Sequence, residues 1–101
     1  MKKLLFFMVT MLMPMMASAD AVEINGIYYN LISKGKIAEV TKSPNYYTGS
    51  ITIPSSVTYN EDEYDVKYVG KEAFANCTGL TTVTIPNSVI DIGVTAFEEC
   101  I

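Results

Sequence analysis

The chain has 101 residues, half of them hydrophobic, and its seven lysines against eleven carboxylates leave a net charge of −4. It contains no histidine and no arginine. An acidic chain of this kind is a poor match for nucleic acid or an anionic membrane surface, and without histidine neither cysteine nor any serine has the usual general base.

The first element is a leader. Lys2 and Lys3 form a basic start, Leu4 to Met16 is apolar apart from Thr10 and Pro14, and Ala17-Ser18-Ala19 supplies the small-residue pattern of a cleavage site. The apolar run is shorter than the roughly 20 residues a spanning helix needs. Residues 1–19 are therefore read as a signal peptide cleaved after Ala19, which predicts an exported protein without a membrane span after processing. The mature chain would have 101 − 19 = 82 residues and a charge of 5 − 11 = −6. A chain near 80 residues buries only about 60–65% of its unfolded surface, so its core is small.

Residues 20–46 read as a β-hairpin cap. Val22-Glu23-Ile24 and Ile27 to Ile32 flank Asn25-Gly26, a pair suited to the positive φ at both centres of a tight primed turn. Lys34-Gly35-Lys36 turns the chain again before Ile37-Ala38-Glu39-Val40. Three short strands of this kind can close the open end of a stack of repeats.

Residues 47–101 repeat. Val69-Gly70-Lys71-Glu72-Ala73-Phe74-Ala75-Asn76-Cys77 returns as Ile92-Gly93-Val94-Thr95-Ala96-Phe97-Glu98-Glu99-Cys100, and Ile51-Thr52-Ile53-Pro54-Ser55-Ser56-Val57 returns as Val83-Thr84-Ile85-Pro86-Asn87-Ser88-Val89. A fixed period of this length implies stacked copies of one supersecondary unit, a solenoid. The first copy is enlarged by an insertion around residues 58–66, where Tyr59, Tyr64 and Val66 surround an acidic turn and predict a projecting hairpin. The compact copy runs over 78–101. In each unit a short strand leads through a proline to a glycine turn and then a short helical or 3-10 segment. The predicted core posts are Ile51, Ile53, Val57, Val69, Phe74 and Cys77 in the first copy. Leu80, Val83, Ile85, Val89, Ile92, Phe97 and Cys100 are the posts of the second.

The series Leu-x-x-Val-x-Ile-Pro-x-x-Val-x-x-Ile-Gly-x-x-Ala-Phe-x-x-Cys from Leu80 to Cys100 closely resembles the BspA-like leucine-rich repeats, the 23-residue or Treponema-type class of bacterial surface proteins. The Asn25-Gly26 hairpin and the tyrosine-rich lead-in to Ile51-Thr52-Ile53-Pro54 resemble that family's N-terminal region. Family members usually carry many repeats, and this chain carries about two. The resemblance implies a mainly β, leucine-rich-repeat solenoid fragment with an N-terminal cap. It also implies a non-catalytic module for binding or adhesion, whose partners are proteins or glycans of the host matrix or of other bacteria.

Four hydroxyl residues are the candidate contact set. Ser50 and Thr52 match Thr82 and Thr84, alternate with the inward Ile51, Ile53, Val83 and Ile85, and should form a row on the outer face of a small sheet. That row is either a contact surface or threonine chosen for β propensity. Cys77 and Cys100 hold equivalent repeat positions and are read either as two small buried thiols or as a disulfide between adjacent coils. Glu61, Asp62, Glu63 and Asp65 lack the glycine and distal glutamate of a calcium loop, so they read as a solvated hairpin tip. The tyrosines read as half-buried strand and cap residues, with Tyr59 and Tyr64 of the insertion as candidates for exposure. No cofactor and no metal site is expected. The alternative function is a truncated product without an independent role, or a unit that self-associates through an uncapped C-terminal end.

Overall fold

The computed structural model describes residues 21–100. The proposed leader, its Ala19 cleavage point and Ile101 lie outside the described residues. Eight strands follow one another: β1 (Val22–Ile24), β2 (Ile27–Ile32), β3 (Ile37–Thr41), β4 (Gly49–Thr52), β5 (Ser56–Tyr59), β6 (Asp62–Val69), β7 (Leu80–Thr84) and β8 (Asp91–Ile92).

β1, β2 and β3 form an antiparallel meander. Asn25 and Gly26, with φ of 52° and 90°, make the turn that joins the first two. The third strand has a second role. β3 pairs parallel with β6, and β6 pairs parallel with β8, so the cap ends in a rung of the solenoid itself. On the other side of the coil, β4 pairs parallel with β7 as a separate two-stranded sheet. Parallel pairing on two sides of the coil, each between strands one rung apart, is the architecture expected when one unit repeats along an axis.

The glycines explain how closely the rungs approach. The Gly93 N–H donates to Val69 O at 2.7 Å, and a Cβ added at Gly93 would lie 2.5 Å from Lys71 N and 2.7 Å from Lys71 Cα. One rung lower, the Gly70 N–H donates to Val40 O at 2.8 Å, and an added Cβ would meet that carbonyl at 3.0 Å. The repeated Ile-Gly or Val-Gly thus marks the place where one coil's backbone rests on the next.

The segment after each glycine differs from the helical expectation. No helix or 3-10 helix occurs among the described residues. Instead each coil turns through successive three-residue hydrogen bonds, Ala73 N to Gly70 O and Cys77 N to Phe74 O, then Ala96 N to Gly93 O and Cys100 N to Phe97 O. Positive φ at Glu72, Asn76, Thr95 and Glu99 interrupts what would otherwise be a helical run. Inter-coil bonds from Phe74 N to Ala96 O and from Asn76 N to Glu98 O, both 2.8 Å, tie the turns together. Turns therefore carry their own ladder from coil to coil, which a continuous helix would have consumed internally.

The insertion also differs from a free projection. β5 and the start of β6 do form a hairpin, joined at Asn60 and Glu61, which both take positive φ. β6 then continues without a break into the rung beside β3. The Asp65 N–H donates to Lys36 O at 2.9 Å, and the Lys36 ammonium pairs with Asp62 at 3.2 Å and lies 5.5 Å from the centre of the Tyr64 ring. Tyr64 is consequently buried, whereas Tyr59 stays exposed.

The core is one column. Ile53, Val57, Val69, Phe74 and Cys77 are buried together with Ile27, Tyr29, Ala38, Val40, Tyr47, Tyr64, Val66, Ala73 and Ala96. Ile51, Leu80, Val83, Ile85, Val89 and Cys100 are half-buried against it. Two expected core posts are not core. Ile92 is 45% and Phe97 36% exposed, because among the described residues no further coil lies over them. Phe97 still stacks on Phe74, with ring centres 5.2 Å apart and planes within 3°, and Tyr47 continues the aromatic column at 4.8 Å from Phe74.

Candidate interaction surface

The hydroxyl residues meet on β4 and β7. The register sets Ser50 opposite Thr82, Ile51 opposite Val83 and Thr52 opposite Thr84. A one-residue irregularity next to Gly49 gives β7 an extra residue, Thr81, and restores the alternation beyond it. Ile51 and Val83 turn to the core, so Ser50, Thr52, Thr82 and Thr84 stand on the opposite face, all exposed. Ser50 and Thr82 share a hydrogen bond of 2.7 Å between their hydroxyls. Thr52 and Thr84 keep their hydroxyls free for other partners among the bonds of the described residues.

A second property of this face escapes a search for motifs. No Asp, Glu, Lys or Arg occurs from Ser43 to Asn60 or from Ala73 to Ile90. Every charge of the repeats falls on the hairpin tip, on the far strands or in the turns that follow Gly70 and Gly93. The β4–β7 side is therefore electrically neutral within a chain that is acidic overall. Hydroxyls at the spacing of neighbouring strands, about 4.8 Å, offer donors and acceptors with no ionic attraction.

The surface is anchored by residues that the repeat pattern does not single out. The Tyr47 hydroxyl donates to Thr41 O at 2.6 Å and accepts from the Tyr28 N–H at 3.0 Å, bracing the cap against the first coil. Burial pushes its phenol up to about 12, and Tyr29 beside it likewise. Tyr47 falls off the repeat interval, which hides it from periodicity, although its aromatic character ahead of the first strand is a usable signal. The two cysteines are free. Cys77 Sγ accepts from the Tyr47 N–H at 3.3 Å, the Cys100 thiol donates to Phe74 O at 2.6 Å, and burial raises the pKa of Cys77. Each thiol thus serves as a hydrogen-bonding post in the turn. The disulfide reading is not what the structure holds.

At the C-terminal side of the same sheet, Leu80, Thr82, Val83, Ile85, Phe97 and Cys100 line an open concavity of about 340 Å³. No group of three or more potential metal ligands converges among the described residues. No described helix is long and apolar enough to cross a membrane.

Residues 45–101 match the BspA type leucine rich repeat region. The chain belongs to the BspA-type leucine-rich-repeat family. Three solved structures are similar to it. A leucine rich cell surface protein from Faecalibacterium prausnitzii is 32% identical at a TM-score of 0.67, over 80% of this chain and 21% of that one. A leucine-rich repeat protein from Bacteroides capillosus is 32% identical at a TM-score of 0.68, over 79% and 59%. One from Bacteroides ovatus is 33% identical at a TM-score of 0.67, over 78% and 21%. The chain spans from about a fifth to three-fifths of those structures. No curated protein is similar enough to this BspA-type module to add an assignment. Leucine-rich-repeat modules are generally non-catalytic and present their repeats as binding surfaces.

Proposed function

We propose that this BspA-type module is an exported, non-catalytic binding unit that works at the bacterial surface, and that the neutral hydroxyl face of β4 and β7 is its contact surface. Its partner is a protein or glycan of the host matrix or of another bacterium, one that offers neutral hydrogen-bonding groups. The observation that carries this reading is the coincidence of two facts on one face. Ser50, Thr52, Thr82 and Thr84 are held in register on adjacent parallel strands, and both strands lie in charge-free stretches. Similarity to a protein described as a cell surface protein, together with the leader pattern of residues 1–19, supports the location.

The test is capture on immobilised collagen and on a neutral polysaccharide, comparing wild type with the double variant Ser50→Glu, Thr52→Glu. Both substitutions fall on exposed positions of β4, so the variant should fold. Two buried-on-binding carboxylates should weaken capture at least about tenfold, since an unpaired charge at an interface costs more than 1.4 kcal/mol. Equal capture by both proteins would move the contact surface elsewhere.

A further inference from the structure

We infer that Tyr46 is a stacking platform for a sugar ring, and that the ligand of the hydroxyl face is a neutral linear polysaccharide laid along β4 from Tyr46 to Thr52. The inference rests on the contact-surface reading above and narrows its partner to one chemical class. Tyr46 is the most exposed aromatic residue among those described, at 56%. Its neighbour Tyr47 is buried, and from there the chain alternates. Tyr47, Ile51 and Ile53 turn to the core, while Tyr46, Thr48, Ser50 and Thr52 are exposed. Tyr46 therefore heads the hydroxyl row.

Folding gives no reason for a tyrosine at this post. Tyr46-Tyr47-Thr48-Gly49 returns one coil later as Asn76-Cys77-Thr78-Gly79, and Tyr46 and Asn76 both hold a φ of 62°. Asparagine tolerates that left-handed backbone, whereas a bulky side chain is an outlier there. Strain kept at an exposed residue that buries little apolar surface is a pattern of functional positions. The backbone beneath the ring is also fixed. The Tyr46 N–H donates to Ser43 O at 3.1 Å and the Asn45 N–H to Ser43 Oγ at 3.3 Å, while Tyr47 is braced through its hydroxyl and its N–H. A platform ordered in advance lowers the cost of binding.

The chemistry of the face suits a sugar. A pyranose presents C–H groups on its flat side, which the negative face of an aromatic ring attracts, and hydroxyls at its edge, which need donors and acceptors. Tyr46 supplies the ring, and Ser50, Thr52, Thr82 and Thr84 supply the hydroxyls. Gly49 opens β4 and Gly79 immediately precedes β7, so neither puts a side chain between the ring and the Ser50–Thr82 pair. The six steps from Tyr46 to Thr52 span about 20 Å at most, a length for linked sugars rather than one. A protein partner fits less well. About a quarter of protein residues are charged, and such groups would lose water against a stretch that has no charge from Ser43 to Asn60. A polyanion is repelled by the acidic chain. Tyr46 lies on the cap side, so coils stacked beyond β7 would lengthen the row without covering it.

Calorimetric titration of the full chain with cellohexaose, maltohexaose and mannohexaose, run beside capture on immobilised collagen, tests the inference. Wild type should bind at least one of these sugars and show nuclear Overhauser contacts between sugar C–H groups and the Tyr46 ring. That second readout depends on no variant. Tyr46→Asn should weaken sugar binding at least about tenfold through loss of the stacked ring. It should melt no lower than wild type, because Asn76 already holds the same post. Tyr46→Phe should bind within about twofold, since the ring and not its hydroxyl makes the contact. Tyr59→Ala, on the inserted hairpin, should bind like wild type. Sugar binding that survives Tyr46→Asn but not Ser50→Glu, Thr52→Glu would overturn the platform and leave the face standing. Capture by collagen with no response to any of the three sugars would overturn the polysaccharide and also leave the face standing. Sugar binding that survives both Tyr46→Asn and Ser50→Glu, Thr52→Glu would overturn platform and face together.

Discussion

Replacing Gly93 by alanine adds one methyl group at the tightest contact between coils. The new Cβ would lie 2.5 Å from Lys71 N, 2.7 Å from Lys71 Cα and 2.8 Å from Gly70 C, all backbone atoms that cannot rotate away. Reaching ordinary contact at 3.4 Å requires the coils to part by about 0.9 Å. Four inter-coil hydrogen bonds sit at that junction: Gly93 N to Val69 O, Ile90 N to Lys67 O, Phe74 N to Ala96 O and Asn76 N to Glu98 O. At about 1 kcal/mol net for each bond weakened, the loss is about 3–4 kcal/mol. Restricting the unfolded chain returns about 0.4–1 kcal/mol. The expected net destabilisation is about 2–3 kcal/mol, a fall in Tm of about 10–20 °C for a domain of this size. Urea denaturation gives the total, and hydrogen exchange of residues 90–100 shows whether the last coil opens first. Gly70→Ala should cost less, because one of its two nearest atoms belongs to the flexible Glu39 carboxylate. A Gly93→Ala protein as stable as wild type, with its Gly93 and Ala96 amides still protected, would refute the close-approach argument.

Phe74→Ala should cost about 3–5 kcal/mol, as for a fully buried ring, and Phe97→Ala clearly less, because Phe97 keeps one face open; thermal melts of the two variants compare them. Glu61→Gly should stabilise by about 0.5–1 kcal/mol, since Glu61 holds a φ of 72° in a two-residue turn that glycine adopts freely. With Tyr47 and Tyr29 raised to about 12 in the fold against about 10 when unfolded, their contribution is complete below pH 10. It is lost as pH climbs toward 12, because the unfolded phenols release protons first. Equilibrium unfolding between pH 9 and 12 should therefore show a steep loss that Tyr47→Phe makes shallower above pH 10. In the native protein a thiol reagent should reach half-buried Cys100 before Cys77, whose thiol is buried and raised in pKa. Stopped-flow labelling of Cys77→Ser and Cys100→Ser variants assigns the phases.

Much of the fold was legible because repeat packing writes itself in side chains. Gly70 and Gly93, Phe74 and Phe97, Cys77 and Cys100 recur because each coil must meet the next with the same shape. The Asn25-Gly26 turn was equally plain, since few residue pairs accept positive φ twice. The turn segments were harder. Ala-Phe flanked by polar residues suits a short helix by propensity, and only the inter-coil bonds of Phe74 and Asn76 favour separate turns over it. Burial at the last coil was misjudged for a related reason. Periodicity gives Ile92 and Phe97 the same posts as Val69 and Phe74, whereas burial depends on what lies above them. Tyr64 was misplaced because its ring is covered by Lys36, a contact between distant segments that local patterning does not carry. The candidate surface was readable in position, through the alternation around Ile51 and Val83. Its neutrality was present in the charge distribution but belongs to no motif.

Methyl shift mapping of Thr52, Thr82 and Thr84 during titration with soluble collagen peptides and neutral oligosaccharides tests the central claim most directly. The account predicts that the responsive methyls concentrate on β4 and β7, and that 0.5 M salt leaves the affinity nearly unchanged, because no ion pair is involved. Shifts centred on the cap or on the Glu61–Asp65 hairpin tip, with binding lost in salt, would contradict it.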